Sequence, residues 1–209
     1  MEDQIPFYGS QQQRLFQIER YAMDAPGKVV EYLNKNLPRG LVMDLGAGDG
    51  YTANKIEGRT VLCVEPSSGM VIYDNNPLWL KGTAENLPFH DNYLDGAYST
   101  WAYFLPGVEK LSGLKEVERV CKDRSKIIII DNAGGDEFTS FAQEPIHEGP
   151  EFYLENGFEL EVIESVWQFE NEQDCLDLMS LFFPDKFSKD DVNLQYSYRV
   201  AAYSKIVQK

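Results

Sequence analysis

Residues 41–56 read LVMDLGAGDGYTANKI, and this stretch decides the fold. It opens with an apolar run around Asp44 that is long enough for a strand buried on both faces. The run stops at three glycines, Gly46, Gly48 and Gly50, and a polar segment compatible with a helix follows. The pattern therefore predicts a strand, a glycine turn and a helix. Because glycines leave room for a ligand beside the backbone, the turn is a candidate cofactor site.

The spacing and the charges around the turn indicate which kind of cofactor it binds. A dinucleotide site needs G-x-G-x-x-G so that a pyrophosphate can rest on backbone N–H groups, but Tyr51 departs from that fingerprint. Asp44 and Asp49 put two carboxylates beside the turn, and each would cost a pyrophosphate roughly a kcal/mol or more. A second apolar run, VLCVE, ends at Glu65, at about the spacing from which an acid reaches ribose hydroxyls. We therefore expect a ligand that contains a nucleoside and a positive charge.

Four separated segments carry a more specific likeness: VMDLGAGDG, VLCVEPSSGM, GTAENLPFHDNYLDGAY and LKEVERVCKDRSKIIIIDN. In their order and spacing they resemble the motifs of class I S-adenosylmethionine-dependent methyltransferases, in the subgroup that includes the ubiquinone and menaquinone C-methyltransferases. The likeness covers about residues 10–165. It implies an α/β fold, S-adenosylmethionine as cofactor, S-adenosylhomocysteine as product and methyl transfer to an acceptor.

The resemblance also implies roles for individual residues. Asp44 and the turn 46–50 would hold the methionine end of the cofactor, Glu65 would take both ribose hydroxyls, and the turn 83–85 would meet the adenine edge. The cofactor-binding residues expected in this way are Asp44, Gly46, Ala47, Gly48, Gly50, Glu65, Pro66, Met70, Thr83, Ala84, Glu85, Ser99 and Tyr21. The sequence departs from the family at Thr83, where Asp is common, and at residues 122–126, which replace the usual proline-glycine turn.

The composition bounds the classes of function. With 34 Asp plus Glu against 19 Lys plus Arg, the formal charge is −15, and no basic run is present. Since binding a polyanion draws on clustered Lys and Arg, nucleic acid is not expected as a partner. The three cysteines are scattered, and no leader or membrane-spanning run is apparent, which predicts reduced thiols in a soluble, cytoplasmic protein.

Apolar periodicity predicts helices near 10–25, 28–36, 67–75, 108–121, within 138–156 and at 172–183, and strands near 41–45, 61–65, 79–81, 94–100, 127–130, 158–169 and 196–207. The fold class that follows is α/β, a doubly wound, Rossmann-like, seven-stranded and mostly parallel sheet with a reversed C-terminal strand pair. We predict one methyltransferase domain over 1–209. It would comprise an N-terminal arm and entry helices (1–36), a cofactor-binding core (37–169), and a helical insertion with the last strand (170–209).

Acid-base groups are few in the expected pocket. Only two histidines occur, His90 in a polar turn and His147 in a region that covers the substrate pocket in many relatives of this family. No metal-ligand pattern is present, so no metal is expected. The weak candidates for catalytic residues are Tyr8, Trp101 and His147, with Tyr8 and Tyr21 as lid residues, although both tyrosines fit plain packing equally well. Asp131 and Asn132 follow a buried strand at the ligand edge of the sheet and are candidate substrate contacts.

Three functions remain open from the sequence. The first is a methyltransferase that acts on a small-molecule acceptor by direct in-line transfer. The second is an aminopropyltransferase-like enzyme that uses decarboxylated S-adenosylmethionine, whose basic amine substrates would suit the charge of −15. The third is a non-catalytic cofactor-binding or partner-binding module of the same fold. The acceptor atom and the oligomeric state are not predicted.

Overall fold

The computed structural model describes residues 13–71, 78–102, 110–142 and 149–209. Seven strands form one sheet. The strands are β1 (Gly40–Leu45), β2 (Arg59–Val64), β3 (Leu78–Leu80), β4 (Leu94–Thr100), β5 (Cys121–Asn132), β6 (Glu159–Gln168) and β7 (Gln195–Ile206). The α-helices are α1 (Gln13–Ala22), α2 (Lys28–Asn36), α3 (Leu111–Val120), α4 (Pro150–Glu155) and α5 (Glu172–Phe182).

The order of the strands across the sheet is β3-β2-β1-β4-β5-β7-β6. The pairs from β3 through β5 are parallel, whereas β7 is antiparallel to both of its neighbours. The predicted doubly wound α/β sheet with an antiparallel C-terminal pair is therefore confirmed, and within that pair β7 is the strand that runs against the others. The order turns back on the two sides of β1, so β1 and β4 end at the switch point where open α/β sheets bind ligands.

Two apolar clusters cover the two faces of the sheet. Since side chains alternate along a strand, Ile128 and Ile130 of β5 belong to the cluster beneath α2 and α5, while Ile127 and Ile129 belong to the cluster beneath α3 and α4. The central strands are apolar on both faces, as buried parallel strands are. Helices on both faces leave the carboxyl edge of the sheet as the place for a site.

The junction between α1 and α2 is held by one buried carboxylate. Asp24 has a left-handed backbone (φ 49°), and its two oxygens accept hydrogen bonds from the N–H groups of Lys28 (3.1 Å) and Val29 (2.8 Å). The Ser165 hydroxyl of β6 donates to the same carboxylate at 2.5 Å. This contact fixes where α1 ends and, with it, how α1 lies over the edge of the sheet.

Two predicted helices are wrong in the described part of the chain. After the glycine turn, only a short 3-10 helix forms (Ala53–Lys55), because Gly58, at φ 65°, breaks the segment too soon for an α-helix. Residues 67–71 form a turn rather than the start of a helix, and residues 72–77 lie outside the described ranges. Apart from the start of β5, the other described elements agree with the predictions to within a few residues, and α2 and β4 agree at both ends.

Residues 122–126 are not a loop, as the resemblance suggested, but the first part of β5. The chain passes from α3 straight into the strand at Cys121. Arg124 takes a left-handed conformation (φ 60°) and donates its N–H to the carbonyl of Val207, so this segment pairs with the end of β7. All three cysteines are buried, and no helix among the described residues is both long and apolar enough to cross a membrane. The division into arm, core and insertion stays a prediction.

Candidate functional site

The glycine turn leaves β1 and is held against the end of β2. Gly46, Gly48 and Gly50 all have positive φ (73°, 57° and 79°), a conformation that other residues rarely adopt. The N–H groups of Gly46 and Ala47 both donate to the carbonyl of Val64, at 2.9 and 3.3 Å. The turn predicted from the sequence is thus a fixed cradle that joins the ends of two adjacent strands.

Glu65, directly after β2, is tied into the same cradle. Its Oε2 accepts the N–H of Gly48 at 2.9 Å, and its Oε1 accepts the N–H of Ser67 at 2.8 Å. The residue is only 9% exposed. Because a carboxylate oxygen accepts more than one hydrogen bond, these contacts orient Glu65 and remain compatible with the binding of ribose hydroxyls.

Asp44, in β1, is completely buried beneath the turn. Neither of its oxygens has a hydrogen-bond partner among the described residues. Burial raises the pKa of Asp44 from 3.8 to about 7, although the nearby Tyr98 hydroxyl and the Arg20 guanidinium favour the ionised form. Burying a carboxylate that makes no hydrogen bond costs free energy. A positively charged ligand group beside Asp44 would offset this cost.

Arg20 of α1 reaches over the turn, which the sequence did not predict. Its Nη2 lies 2.6 Å from Oδ1 of Asp49, and the guanidinium lies over the rings of Phe16 (4.7 Å) and Tyr51 (4.9 Å). The charge of Asp49 is therefore already compensated, and Asp44 is the carboxylate left to meet a cation. The one signal in the sequence that could have identified Arg20 is its positive charge in an acidic chain. It lies outside the apolar side of the helix, so it has no expected role in packing.

The structure also describes the remaining predicted cofactor residues. Met70 is buried beside Gly48, and its Cε lies 3.6 Å from where a Cβ on Gly48 would stand. Thr83 and Asn86 form a tight turn that buries Ala84 and exposes Glu85, while Pro66 is exposed. Ser99 is buried and donates its hydroxyl to the carbonyl of Leu45 at 2.9 Å, which joins β4 to β1. The contact of Ser99 is thus structural in this fold.

Tyr21, predicted as a lid residue, and Trp101, a weak candidate for catalysis, both lie in the described part of the chain. Tyr21 is 65% exposed and meets Tyr51 edge-on at 5.9 Å, so it is not an internal packing residue. Trp101 has a left-handed backbone (φ 46°), a strained conformation for a bulky side chain, and its ring lies 6.4 Å from that of Tyr198. Tyr98, in contrast, is buried core.

Tyr198 is the second residue that the sequence did not single out. It comes from β7, and its hydroxyl donates to Oδ1 of Asn132 at 2.5 Å. Trp101, Asn132 and Tyr198 therefore form one group at the carboxyl edge of β4 and β5, beside the cradle. His90 is exposed in its turn. Tyr8 and His147 lie outside the described residues.

A groove of about 280 Å³ elsewhere is not part of this arrangement. It is lined by Glu118, Gly157, Lys205, Ile206 and Gln208 and lies near the end of β7, at the opposite edge of the sheet. Lys205 and Glu118 form an ion pair there at 2.5 Å. The two charged side chains that line the groove satisfy each other, so the glycine cradle is the better candidate site.

Part of the chain matches a known protein family. Residues 43–129 match the family model of a methyltransferase domain, and this confirms the resemblance carried by the motifs. The match implies S-adenosylmethionine as cofactor. None of the curated proteins is similar enough in sequence to count as a relative.

Solved structures share the fold at low sequence identity. A Thermotoga maritima protein, described as an S-adenosylmethionine-dependent methyltransferase and a possible histamine N-methyltransferase, aligns with a TM-score of 0.61 at 20% identity over 97% of each chain. YcgJ from Bacillus subtilis aligns with a TM-score of 0.61 at 16% identity, over 87% of this chain and 99% of its own. A methyltransferase from Aquifex aeolicus aligns with a TM-score of 0.54 at 19% identity, over 91% and 97%.

Proposed function

We propose that this chain, whose residues 43–129 match the family model of a methyltransferase domain, transfers a methyl group from S-adenosylmethionine directly to a small-molecule acceptor. The observation that carries the proposal is Asp44. It is a fully buried carboxylate that makes no hydrogen bond within 3.5 Å among the described residues, although the Tyr98 hydroxyl and the Arg20 guanidinium are near, and it lies directly below a turn of bare glycines. A pyrophosphate would be repelled by this carboxylate, whereas a ligand with a positive charge would relieve the cost of burying it.

The residues present fit the parts of this cofactor. Asp44 would face the positively charged methionine end, the turn 46–50 would let that end approach the backbone, and Glu65 would accept the ribose hydroxyls. The turn at 83–86 would border the adenine, with Thr83 in place of an acid. When bound, the cofactor supplies an activated methyl group, so the protein has chiefly to orient the acceptor and to exclude water.

Trp101 and Asn132 are the residues that we assign to the acceptor side, and Tyr198 supports them from the core. Trp101 is partly exposed and its ring packs against the buried ring of Tyr198, while the hydrogen bond from Tyr198 fixes the orientation of the Asn132 side chain. No histidine is described in this group. We therefore attribute the acceleration of methyl transfer to positioning of the acceptor rather than to a dedicated general base.

A small acceptor is supported by the charge of the chain. At −15, with no basic run, the protein would repel a nucleic acid before any site could act on it. Several of the basic side chains described are also already paired with carboxylates, among them Arg14, Arg119 and Lys122. The possible acceptor of the Thermotoga protein, histamine, is a small amine, which is compatible with the same class here.

The first experiment is a titration of the purified protein with S-adenosylmethionine, S-adenosylhomocysteine and NAD, followed by calorimetry. We expect the first two to bind and NAD not to bind. Binding of NAD alone would overturn the proposal.

The second experiment follows the products. The protein is incubated with methyl-labelled S-adenosylmethionine, or with its decarboxylated form, and with a fractionated extract of small molecules, bulk tRNA, rRNA or DNA. We expect S-adenosylhomocysteine to form and label to enter the small-molecule fraction alone. Methylthioadenosine formed from the decarboxylated cofactor would indicate an aminopropyltransferase. Binding without either product would indicate a non-catalytic module.

A further inference from the structure

Strand β6 lies at an outer edge of the sheet and pairs only with β7. Its first part, ELEVIE (159–164), is here called the open segment, because every residue in it is exposed except Ile163, which is partly buried. The register with β7 is regular, without a bulge. Proteins protect edge strands from further pairing with bulges, prolines or charges, and this segment has only charges, all of them glutamates.

The backbone of the open segment presents hydrogen-bonding groups to the outside of the sheet. The carbonyl of Val166 accepts the N–H of Ala25 at 3.3 Å, so the backbone of Val166 points away from β7. Because alternate residues of an antiparallel ladder point the same way, Leu160, Val162 and Glu164 also direct their N–H and C=O groups outward. No hydrogen bond from another described residue reaches these outward groups. The edge is therefore closed at Val166 and open before it.

One face of the open segment is apolar and only partly covered. Val162 lies opposite Ala201, which belongs to the cluster beneath α3 and α4, so Leu160 and Val162 share that face of the sheet. They are nevertheless 40% and 37% exposed. A further strand at this edge would place its own side chains beside both residues and cover them.

The charges of the open segment are all negative. Glu159 and Glu161 lie on the other face, and the β7 residues opposite them are a serine and an alanine, which carry no charge. Among the residues that the structure describes, Glu164 is the member of the segment with an ion pair, to Arg199 at 3.3 Å. Glu159 and Glu161 thus have no cation beside them within the described part of the sheet.

These charges distinguish two possible occupants of the edge. A second copy of the chain would bring the same three glutamates to the same place, and each copy carries a formal charge of −15. Like charges opposite each other destabilise strand pairing. A strand that alternates basic and apolar residues would instead place its cations opposite Glu159 and Glu161 and its apolar side chains opposite Leu160 and Val162. The charges therefore favour a basic strand from another protein.

We propose that the open segment is a docking edge to which a partner protein adds an extended, basic strand. Main-chain hydrogen bonds to the outward groups provide the pairing, and the glutamates select the partner by charge. The added strand ends beside Ala25, where the edge is already closed. Strands β4, β5 and β7 separate this edge from β1, so the inference does not rest on the proposed function.

The first test measures amide hydrogen exchange in the free protein by NMR. We expect the N–H groups of Leu160, Val162 and Glu164 to exchange at least about tenfold faster than those of Glu161 and Ile163, which bond to β7. Slow exchange at all five positions would show that the edge is already covered, within one chain or by a second copy, and would overturn the inference.

The second test titrates the protein with a short capped peptide that alternates lysine and valine. We expect it to bind and to slow exchange at Leu160, Val162 and Glu164. The same peptide with glutamate in place of lysine should bind about tenfold more weakly or not at all. Two further forms carry N-methyl groups on all valines or on all lysines. Only one of these sets of amides can face β6, so one form should bind and the other should not, and equal binding of both would contradict strand addition.

Three variants locate the peptide on the protein. Val162→Pro removes one outward N–H and leaves the ladder with β7 intact, and Glu161→Lys reverses one charge at the edge. Each should weaken binding of the lysine peptide by about tenfold. Glu57→Lys is the matched control, since Glu57 is exposed before β2, on the far side of the sheet, and its binding should stay close to that of the native protein.

Two outcomes of these variants would contradict the inference. Equal weakening by Glu57→Lys and Glu161→Lys would show that the peptide responds to the net charge of the protein rather than to this edge. If Val162→Pro does not fold, Glu161→Lys decides alone, and unchanged binding of the lysine peptide in that variant would place the peptide elsewhere.

Discussion

The carboxylate of Glu65 accepts the backbone N–H of Gly48 at 2.9 Å, so the acid at the end of β2 and the glycine turn after β1 form one rigid unit. A ligand that bridges the two should therefore bind without first ordering either of them, which lowers the cost of association. The hydrogen bond also means that a change at Glu65 affects the turn itself, and the choice of variant has to allow for this.

The first prediction concerns Glu65. Saturating the native protein with S-adenosylmethionine at about a hundredfold over Kd should add roughly 2.7 kcal/mol of stability, or about 5 to 10 °C in Tm for a chain of this size. Glu65→Ala should remove most of this shift because it deletes the acceptor for the ribose hydroxyls. Glu65→Gln keeps an acceptor for Gly48 and should lose less. If all three proteins respond alike in a thermal scan, Glu65 does not contact the ribose.

The second prediction concerns the buried carboxylate of Asp44. Raising its pKa from 3.8 to about 7 corresponds to an upper limit of about 4 kcal/mol for keeping it ionised in the folded state. The folded protein then binds this proton more tightly than the unfolded chain, so stability is lost as the pH rises from about 4 to about 7. Asp44→Asn should therefore stabilise the free protein most at pH 8, by less than half as much at pH 5, and should weaken binding of S-adenosylmethionine.

Denaturant unfolding at the two pH values, with and without ligand, measures all of these effects. Stabilisation by Asp44→Asn that is equal at pH 5 and pH 8 would show that the ionised carboxylate is not the source of the cost. Unchanged affinity for S-adenosylmethionine in this variant would remove Asp44 from the cofactor site.

The third prediction uses two glycines with similar backbones. Gly48 (φ 57°) lies in the cradle, whereas a Cβ on Gly27 (φ 73°) would meet nothing within 4 Å. Replacing either with alanine should lower the free energy of unfolding by about 1 to 2 kcal/mol, since both positions are left-handed. Gly48→Ala alone should weaken cofactor binding, by about tenfold or more, because its methyl group occupies the space where the ligand approaches the backbone. Equal affinities in the two variants would place the ligand away from the turn.

The fourth prediction concerns the way in which the methyl group is transferred. Holding the acceptor in line, about 3 to 3.5 Å from the methyl carbon, can account for roughly 7 to 11 kcal/mol of the barrier without any base. Once an acceptor is identified, Trp101→Ala or deletion of the arm through Tyr8 should therefore reduce turnover more than His147→Ala does. Trp101→Phe serves as the control that keeps an aromatic ring. An equal or greater loss in a folded, cofactor-binding His147→Ala protein would mean that a general base does the chemistry.

Local patterns in the sequence predicted most of the sheet. Apolar runs and the glycine spacing of residues 41–50 are contiguous signals, and the structure has β1 and its turn where they indicated. The prediction of a helix after the turn was wrong. The sequence shows a glycine at position 58, but it does not show that Gly58 takes a left-handed backbone and ends the segment after one short 3-10 turn. A short polar segment is easily mistaken for a helix when it has no apolar residues at helical spacing to test the prediction.

The parts of the site that the sequence missed are contacts between residues far apart in the chain. Arg20 meets Asp49 across the junction of α1 with the sheet, and Tyr198 of the last strand meets Asn132 of β5. Neither pair leaves a local pattern in the sequence, because its two members lie far apart in the chain. In the second pair, β7 is the last strand of the chain but lies next to β5 in the sheet. Asn132 itself was among the candidate substrate contacts, and the structure supplies the tyrosine that orients it.

The ion pairs of Arg14 at the far end of α1 have a consequence for the speed of ligand exchange. They are exposed, with the arginine side chain 59% accessible, so dissolved salt screens them strongly. The pair between Arg20 and Asp49 is more shielded. Rising ionic strength should therefore loosen the start of the helix before its end, and the cofactor would enter and leave faster in concentrated salt while its orientation over the glycine turn is kept.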